Sequence, residues 1–140
     1  SMSLLIEGEG GSGGSGGGTP PPPQTESFEW SDEEVSKRDW IEYQGQSNNS
    51  AGPLATITGS IMAVTVSCSQ RDDPRDLNLY IDGTQAVTLA EVPKTGDSWS
   101  TQITLNRTIT AGQKIQVKAG NSGKKKTHDL LVQMTVEEVL

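Results

Sequence analysis

The sequence predicts an all-β protein: an antiparallel β-sandwich, jelly-roll or Ig-like, carried behind a flexible Gly/Pro-rich N-terminal arm. Three observations lead there. From Leu54 onward, apolar residues recur at every second position in short runs, as in Leu77, Leu79, Ile81 and again in Leu130, Val132, Met134, Val136. Period two is what a strand with one buried face requires. Turn-forming Gly, Pro, Asp and Asn separate the runs. No stretch repeats apolar residues at the helical period, so nothing is available to cover a parallel sheet.

The chain divides into three parts. Residues 1–24 form an arm. Ser1 before Met2 reads as a protease-cleavage remnant, and Leu4, Leu5 and Ile6 make a small apolar tip. A Gly/Ser tract through Gly18 and the prolines Pro20 to Pro23 follow. Gly/Ser sequence behaves as coil, and a proline run extends as a stiff spacer. The order reads as a tether with an anchoring tip. Residues 25–53 are an aromatic-rich connecting segment packed on the sandwich. In it Ser31 and Glu34 have the spacing of a capping box, which predicts a short helix from Asp32. The competing reading is an extended segment laying Phe28, Trp30, Trp40 and Ile41 over a sheet edge.

Residues 54–140 are the sandwich. Leu54 to Ser69 is a strand region in which Gly59 marks a bulge or bend. Gln70 to Asp76 is a charged, solvated turn. Leu77 to Leu89 is a hairpin about Asp82-Gly83, since Gly accepts the positive φ of tight turns. A two-residue loop satisfies the turn chemistry but places Val87 opposite Asn78. A three-residue loop, or a bulge with the same effect, pairs Leu79 with Val87 and Leu77 with Leu89, and burial favours that register. Trp99, Thr101, Ile103 and Leu105 alternate as the next strand. A turn at Ala111-Gly112 leads to Ile115, Val117 and Ala119. The basic loop 120–127 precedes the last strand. Roughly six to eight short strands at such spacing make a sandwich or barrel.

Composition narrows the function. Eighteen acidic and eleven basic residues leave a net charge of −7. That balance argues against a nucleic-acid partner, which calls for a basic face. No apolar run approaches the roughly 20 residues that span a bilayer, so no membrane partner is expected. A sole cysteine, Cys68, permits no intrachain disulfide, and its place in the Val64, Val66 alternation reads as core. A sole histidine, His128, excludes a multi-histidine metal site. No nucleophile motif, phosphate loop or metal cluster stands out, so no catalysis and no cofactor are expected.

Two charged clusters read as solvated surface before they read as sites: Asp72, Asp73 and Asp76 for a hard cation, and Lys124, Lys125 and Lys126 for an anion. The aromatic residues carry more. Sugar sites use exposed rings as flat apolar platforms beside amides and carboxylates. Tyr80 falls on the polar face of its strand if Leu79 is inside. The candidate ligand-facing residues are therefore Trp40, Tyr43 and Tyr80 with Lys124, Lys125 and Lys126, although for each ring core packing competes with display.

The tip Leu4-Leu5-Ile6, the tract from Gly8 to Gly18, the prolines Pro20 to Pro23 and the strands after Leu54 together resemble small surface proteins of tailed bacteriophage particles: head decoration proteins, head fibres and receptor-binding heads. Leu79-Tyr80-Ile81-Asp82-Gly83 and Thr110-Ala111-Gly112-Gln113-Lys114-Ile115 look like hairpins of jelly-roll modules of the lectin and C1q/TNF kinds. The resemblance implies a non-enzymatic structural protein at the virion surface. Its Leu4, Leu5 and Ile6 would dock to capsid or tail proteins, its sandwich would be displayed, and a homotrimer would be the natural assembly. The alternative is a carbohydrate-binding module or adhesin head that takes a host-surface glycan. A further alternative is an Ig-like adhesion module.

Overall fold

A computed structural model describes residues 21–48, 51–71, 74–93, 96–121 and 126–139. The docking tip Leu4, Leu5, Ile6 and the Gly/Ser tract lie outside them. So do Asp72, Asp73, Lys124 and Lys125.

Eight strands build the domain: β1 (Thr25–Val35), β2 (Gly59–Cys68), β3 (Gln70–Arg71), β4 (Arg75–Ile81), β5 (Thr84–Val92), β6 (Trp99–Ile109), β7 (Ile115–Ala119) and β8 (Thr127–Glu138). They form two antiparallel sheets stacked as a sandwich, and the described residues contain no helix. The larger sheet runs β1-β8-β2-β6, with β3 paired to the start of β8. The smaller runs β5-β4-β7. Inward-facing side chains meet in one core, among them Trp30, Ile61, Val66, Leu77, Leu79, Val117, Val132 and Met134. These are the positions that period-two alternation selects.

The capping-box expectation fails. Ser31 to Glu34 continues β1, pairing with Leu131 through His128. Phe28, Trp30 and Val35 are buried, and their burial outweighs a cap on a helix too short to bury them. Residues 25–53 thus supply a full strand of the large sheet as well as a connection.

The hairpin meets both constraints on its register. Asp82 (φ 52°) and Gly83 (φ 81°) form a two-residue loop with both φ positive, the conformation of a type I′ turn. Shifts between Leu79 and Tyr80 and between Leu77 and Asn78 then realign the strands. Leu79 faces Val87 as burial demands, whereas Leu77 faces Ala90 rather than Leu89. The three-residue loop is absent because bulges do its work.

Gly59 is not the bulge. It opens β2, and the irregularity falls between Ile61 and Ala63. Its role is close approach: a Cβ there would lie 2.0 Å from the Glu137 carbonyl oxygen.

The two arginines that flank the charged turn after β2 are less solvated than their charges suggest. Arg71 and Arg75 are buried at 1% and 0% exposure. The Arg71 guanidinium lies 4.9 Å from the Trp99 ring centroid, and Nη1 donates to Cys68 Sγ at 3.2 Å. Its Nε donates to the Pro93 carbonyl. A guanidinium can be buried when a ring and carbonyls surround it.

Candidate functional site

The outer face of the small sheet holds the most developed cluster of ligand-type side chains. Alternation builds it. On β4, Leu77 and Leu79 point into the core, so Asn78 and Tyr80 point out. On β7, Ile115, Val117 and Ala119 point in, so Gln116 and Lys118 share the outward side. Antiparallel pairing sets Tyr80 beside Gln116 and Asn78 beside Lys118. On the other flank, β5 places Gln85 opposite Tyr80 and Thr88 opposite Asn78.

The last member arrives from far away in sequence. Residues 39–41 run along β7 as an extra edge segment. Ile41 N–H donates to the Val117 carbonyl at 2.9 Å, and Ala119 N–H donates to the Asp39 carbonyl at 2.7 Å. Trp40 bridges to Lys118. With Ile41 buried, Trp40 turns outward and meets Tyr80 edge to face, centroids 5.0 Å apart and planes at 70°. Lys118 Nζ lies 4.7 Å from the Trp40 centroid and 5.7 Å from that of Tyr80. That cation–π contact holds the ammonium against both rings. Among the described residues no carboxylate lies within ion-pair distance of Lys118. Both rings are half-exposed.

Hydrogen-bonding groups surround the rings. Thr88 Oγ1 donates to Asn78 Oδ1 at 3.0 Å, which orients the amide. Tyr80 Oη reaches Gln85 Oε1 at 3.5 Å, near the limit for a hydrogen bond. Gln116 is 1% exposed beneath the 51–53 segment. Beyond it, Asp82, Gly83, Lys114 and Gln116 line a shallow pocket of about 260 Å3. Lys114 N–H donates to Asp82 Oδ1 at 2.9 Å, which ties the rim to the hairpin.

The structure brings Trp40 and Tyr80 together and sets Tyr43 apart. Tyr43 packs against buried Trp30, with centroids 5.6 Å apart, because it shares the inward parity of Ile41. Lys126 is elsewhere too: its Nζ pairs with Glu34 at 3.1 Å on the exposed end of β1. Sequence reasoning missed Lys118, Asn78 and Gln116. Their alternation with core residues was visible, but which strand lies beside β4 was not.

Two other concavities differ in chemistry. One of about 300 Å3 beside β1 and β8 is lined by Asp32, Glu33, Glu42 and Asp129. Burial pushes the Asp32 carboxyl above its ordinary range, and the charges of Glu42 and Asp39 add to this. Backbone N–H groups of Glu34 and Glu42, each 3.3 Å from an Asp32 oxygen, pull the other way. Among the described residues no group of three or more His, Cys, Asp or Glu side chains is arranged to hold a metal ion. The second, about 420 Å3, crosses the outer face of the large sheet over Glu29, Thr65, Gln102 and Gln133. It has amides and hydroxyls but no exposed ring.

No protein-family model matches the chain, and no curated protein matches it. Among solved structures the chain is similar to a family 35 carbohydrate binding module from Clostridium thermocellum, with TM-score 0.46 and 10% identity over 78% of this chain and 97% of that one. It is also similar to the C-terminal CBM6 of LamC from Zobellia galactanivorans, with TM-score 0.43 and 13% identity over 78% and 98%. A third likeness is to an exo-beta-1,3-galactanase from Phanerochaete chrysosporium, with TM-score 0.40 and 14% identity over 80% of this chain but only 29% of the enzyme. At these TM-scores no residue role passes from those proteins to this chain. No described helix is long and apolar enough to cross a membrane.

Proposed function

We propose that this chain binds carbohydrate on the outer face of its small sheet, with Trp40 and Tyr80 as the contact surface. The observation that carries this reading is the display of two half-exposed rings, 5.0 Å apart, on a face that the core does not use. Aromatic side chains held outward leave apolar surface in water, and such surface is characteristic of contact sites. A pyranose offers what the cluster accepts: a C–H face for a ring and hydroxyls at its rim for amides. Asn78, Gln85 and Thr88 supply those amides and a hydroxyl on one side, and Lys118 supplies a cationic donor on the other. The virion-surface role expected from the arm is compatible with it, as a display module needs a receptor-facing surface. That role rests on residues 2–24 and stands as a separate proposal.

The test is a glycan array followed by calorimetry with the full chain. A hit should weaken about tenfold or more in Trp40→Ala and in Tyr80→Ala, since losing a stacked ring costs on the order of 1 kcal/mol and also releases the neighbouring contacts. Glu29→Gln, on the other sheet, should bind as the parent does. No binding of any glycan at roughly 10 mM, or binding indifferent to both ring deletions, overturns the reading.

A further inference from the structure

The two outer edges of the large sheet are treated differently. The β1 edge carries Glu26, Glu29, Asp32, Glu33 and Glu34, and its Ser31 N–H already donates to the Glu42 carbonyl at 3.0 Å. Carboxylates along an edge repel an incoming strand of a chain whose net charge is −7. The β6 edge has neither device. From Ser98 to Asn106 it contains no charged residue and no proline, and among the described residues β6 pairs with β2 alone.

A second observation falls on the same flank. Six half-buried apolar residues at the core margin lie on β5 and β6: Ala86, Val87, Ala90, Trp99, Ile103 and Leu105. Among the described residues each of these strands is the outer strand of its sheet, β5 of the small one and β6 of the large one. An unguarded edge beside half-exposed apolar side chains is a template for strand addition.

We propose that two copies of this chain join by antiparallel pairing of β6 with β6 across a two-fold axis. Charge selects the occupant. Two chains of like net charge approach most easily where each is neutral, and the stretch from Ser98 to Asn106 is neutral on both copies. Pairing a strand with itself is also isologous, so it closes with two chains. With the axis at Gln102, Trp99 of one copy faces Leu105 of the other, and Thr101 faces Ile103. All of these keep the inward parity, so the apolar row continues across the joint. Seven paired residues from Trp99 to Leu105 make roughly six to eight backbone hydrogen bonds. Asn106, at φ 53°, ends the regular edge. The contact is a closed pair rather than a trimer, and it leaves the small-sheet face with Trp40 and Tyr80 free. It stands or falls independently of carbohydrate binding.

The experiment is sedimentation equilibrium of the full chain over a concentration series, beside the double variant Gln102→Lys, Thr104→Lys. Both residues are exposed, so the fold should survive, and circular dichroism checks this. The variant sets like charges directly across the axis. The parent is expected to sediment as a dimer, the double variant to raise the dissociation constant about tenfold or more, and Glu29→Lys on the far edge to leave it unchanged. A parent that is monomeric at roughly 1 mM, an assembly larger than two, or a dimer indifferent to the double variant overturns the proposal.

Discussion

Replacing Gly59 by alanine probes the tightest joint of the large sheet. Gly59 opens β2, which lies between β6 and β8 and pairs with Ile109 on one side and Glu138 on the other. A Cβ would sit 2.0 Å from the Glu137 carbonyl oxygen and 2.7 Å from its carbon. A carbon and an oxygen not bonded to each other settle at about 3.3 Å or more, so one strand must retreat by over ~1 Å. No rotamer change can relieve this, because the obstacle is backbone. Retreat opens the pairs Gly59↔Glu138 and Ser60↔Glu137 at the end of the sheet. Two or three ladder hydrogen bonds at about 1 kcal/mol each are lost or lengthened. The reduced entropy of the unfolded alanine chain gives back about 0.5–1 kcal/mol. The net expectation is a loss of about 2 kcal/mol and a fall in Tm of roughly 8–10 °C for a domain of this size. Urea unfolding of both proteins, with equal m-values, reads the difference directly. Gly96→Ala is the control, since nothing lies within 4 Å of a Cβ at that position. A Gly59→Ala loss below about 0.5 kcal/mol, or one matched by Gly96→Ala, would refute the reasoning.

Two further outcomes are expected. Burial holds the Asp32 carboxyl above its ordinary range in the folded chain, so the native state binds the proton more tightly than the unfolded one. Its contribution to stability therefore declines as pH rises from the ordinary carboxylate value through the raised one, and the decline is complete above it. Asp32→Asn should remove that decline and gain on the parent as pH increases; parallel curves of urea midpoint against pH for the two proteins would exclude the effect. Deleting residues 2–18 should leave the unfolding midpoint of the domain unchanged while abolishing association with a phage particle. Undiminished association would end the docking role of Leu4, Leu5 and Ile6.

The two-sheet, all-β class was legible in the chain because strand alternation is local. Leu77, Leu79, Val64, Val66, Val132 and Met134 declare their face within a few residues, and each is buried. The place of the Asp82-Gly83 turn was equally plain, but its length was not: burial favoured a three-residue loop or a bulge, and the strands keep the two-residue loop with bulges. Display of Tyr80 followed from the same parity. Local signals misled where two local rules competed. Ser31 and Glu34 satisfied a capping box, but Phe28 and Trp30 needed a sheet to bury them. Gly59 carried the mark of a bulge, yet its cause is a carbonyl oxygen from a strand almost eighty residues later. Only the tertiary structure decided that Trp40 turns toward Tyr80 while Tyr43 turns toward Trp30. It alone set β7, with Lys118, beside β4, and it alone left β6 as the unguarded edge. The physical reason is common to all of these. Periodicity states which face a side chain takes, whereas the neighbour on that face depends on strand order, which is fixed by burying the whole set of apolar faces at once.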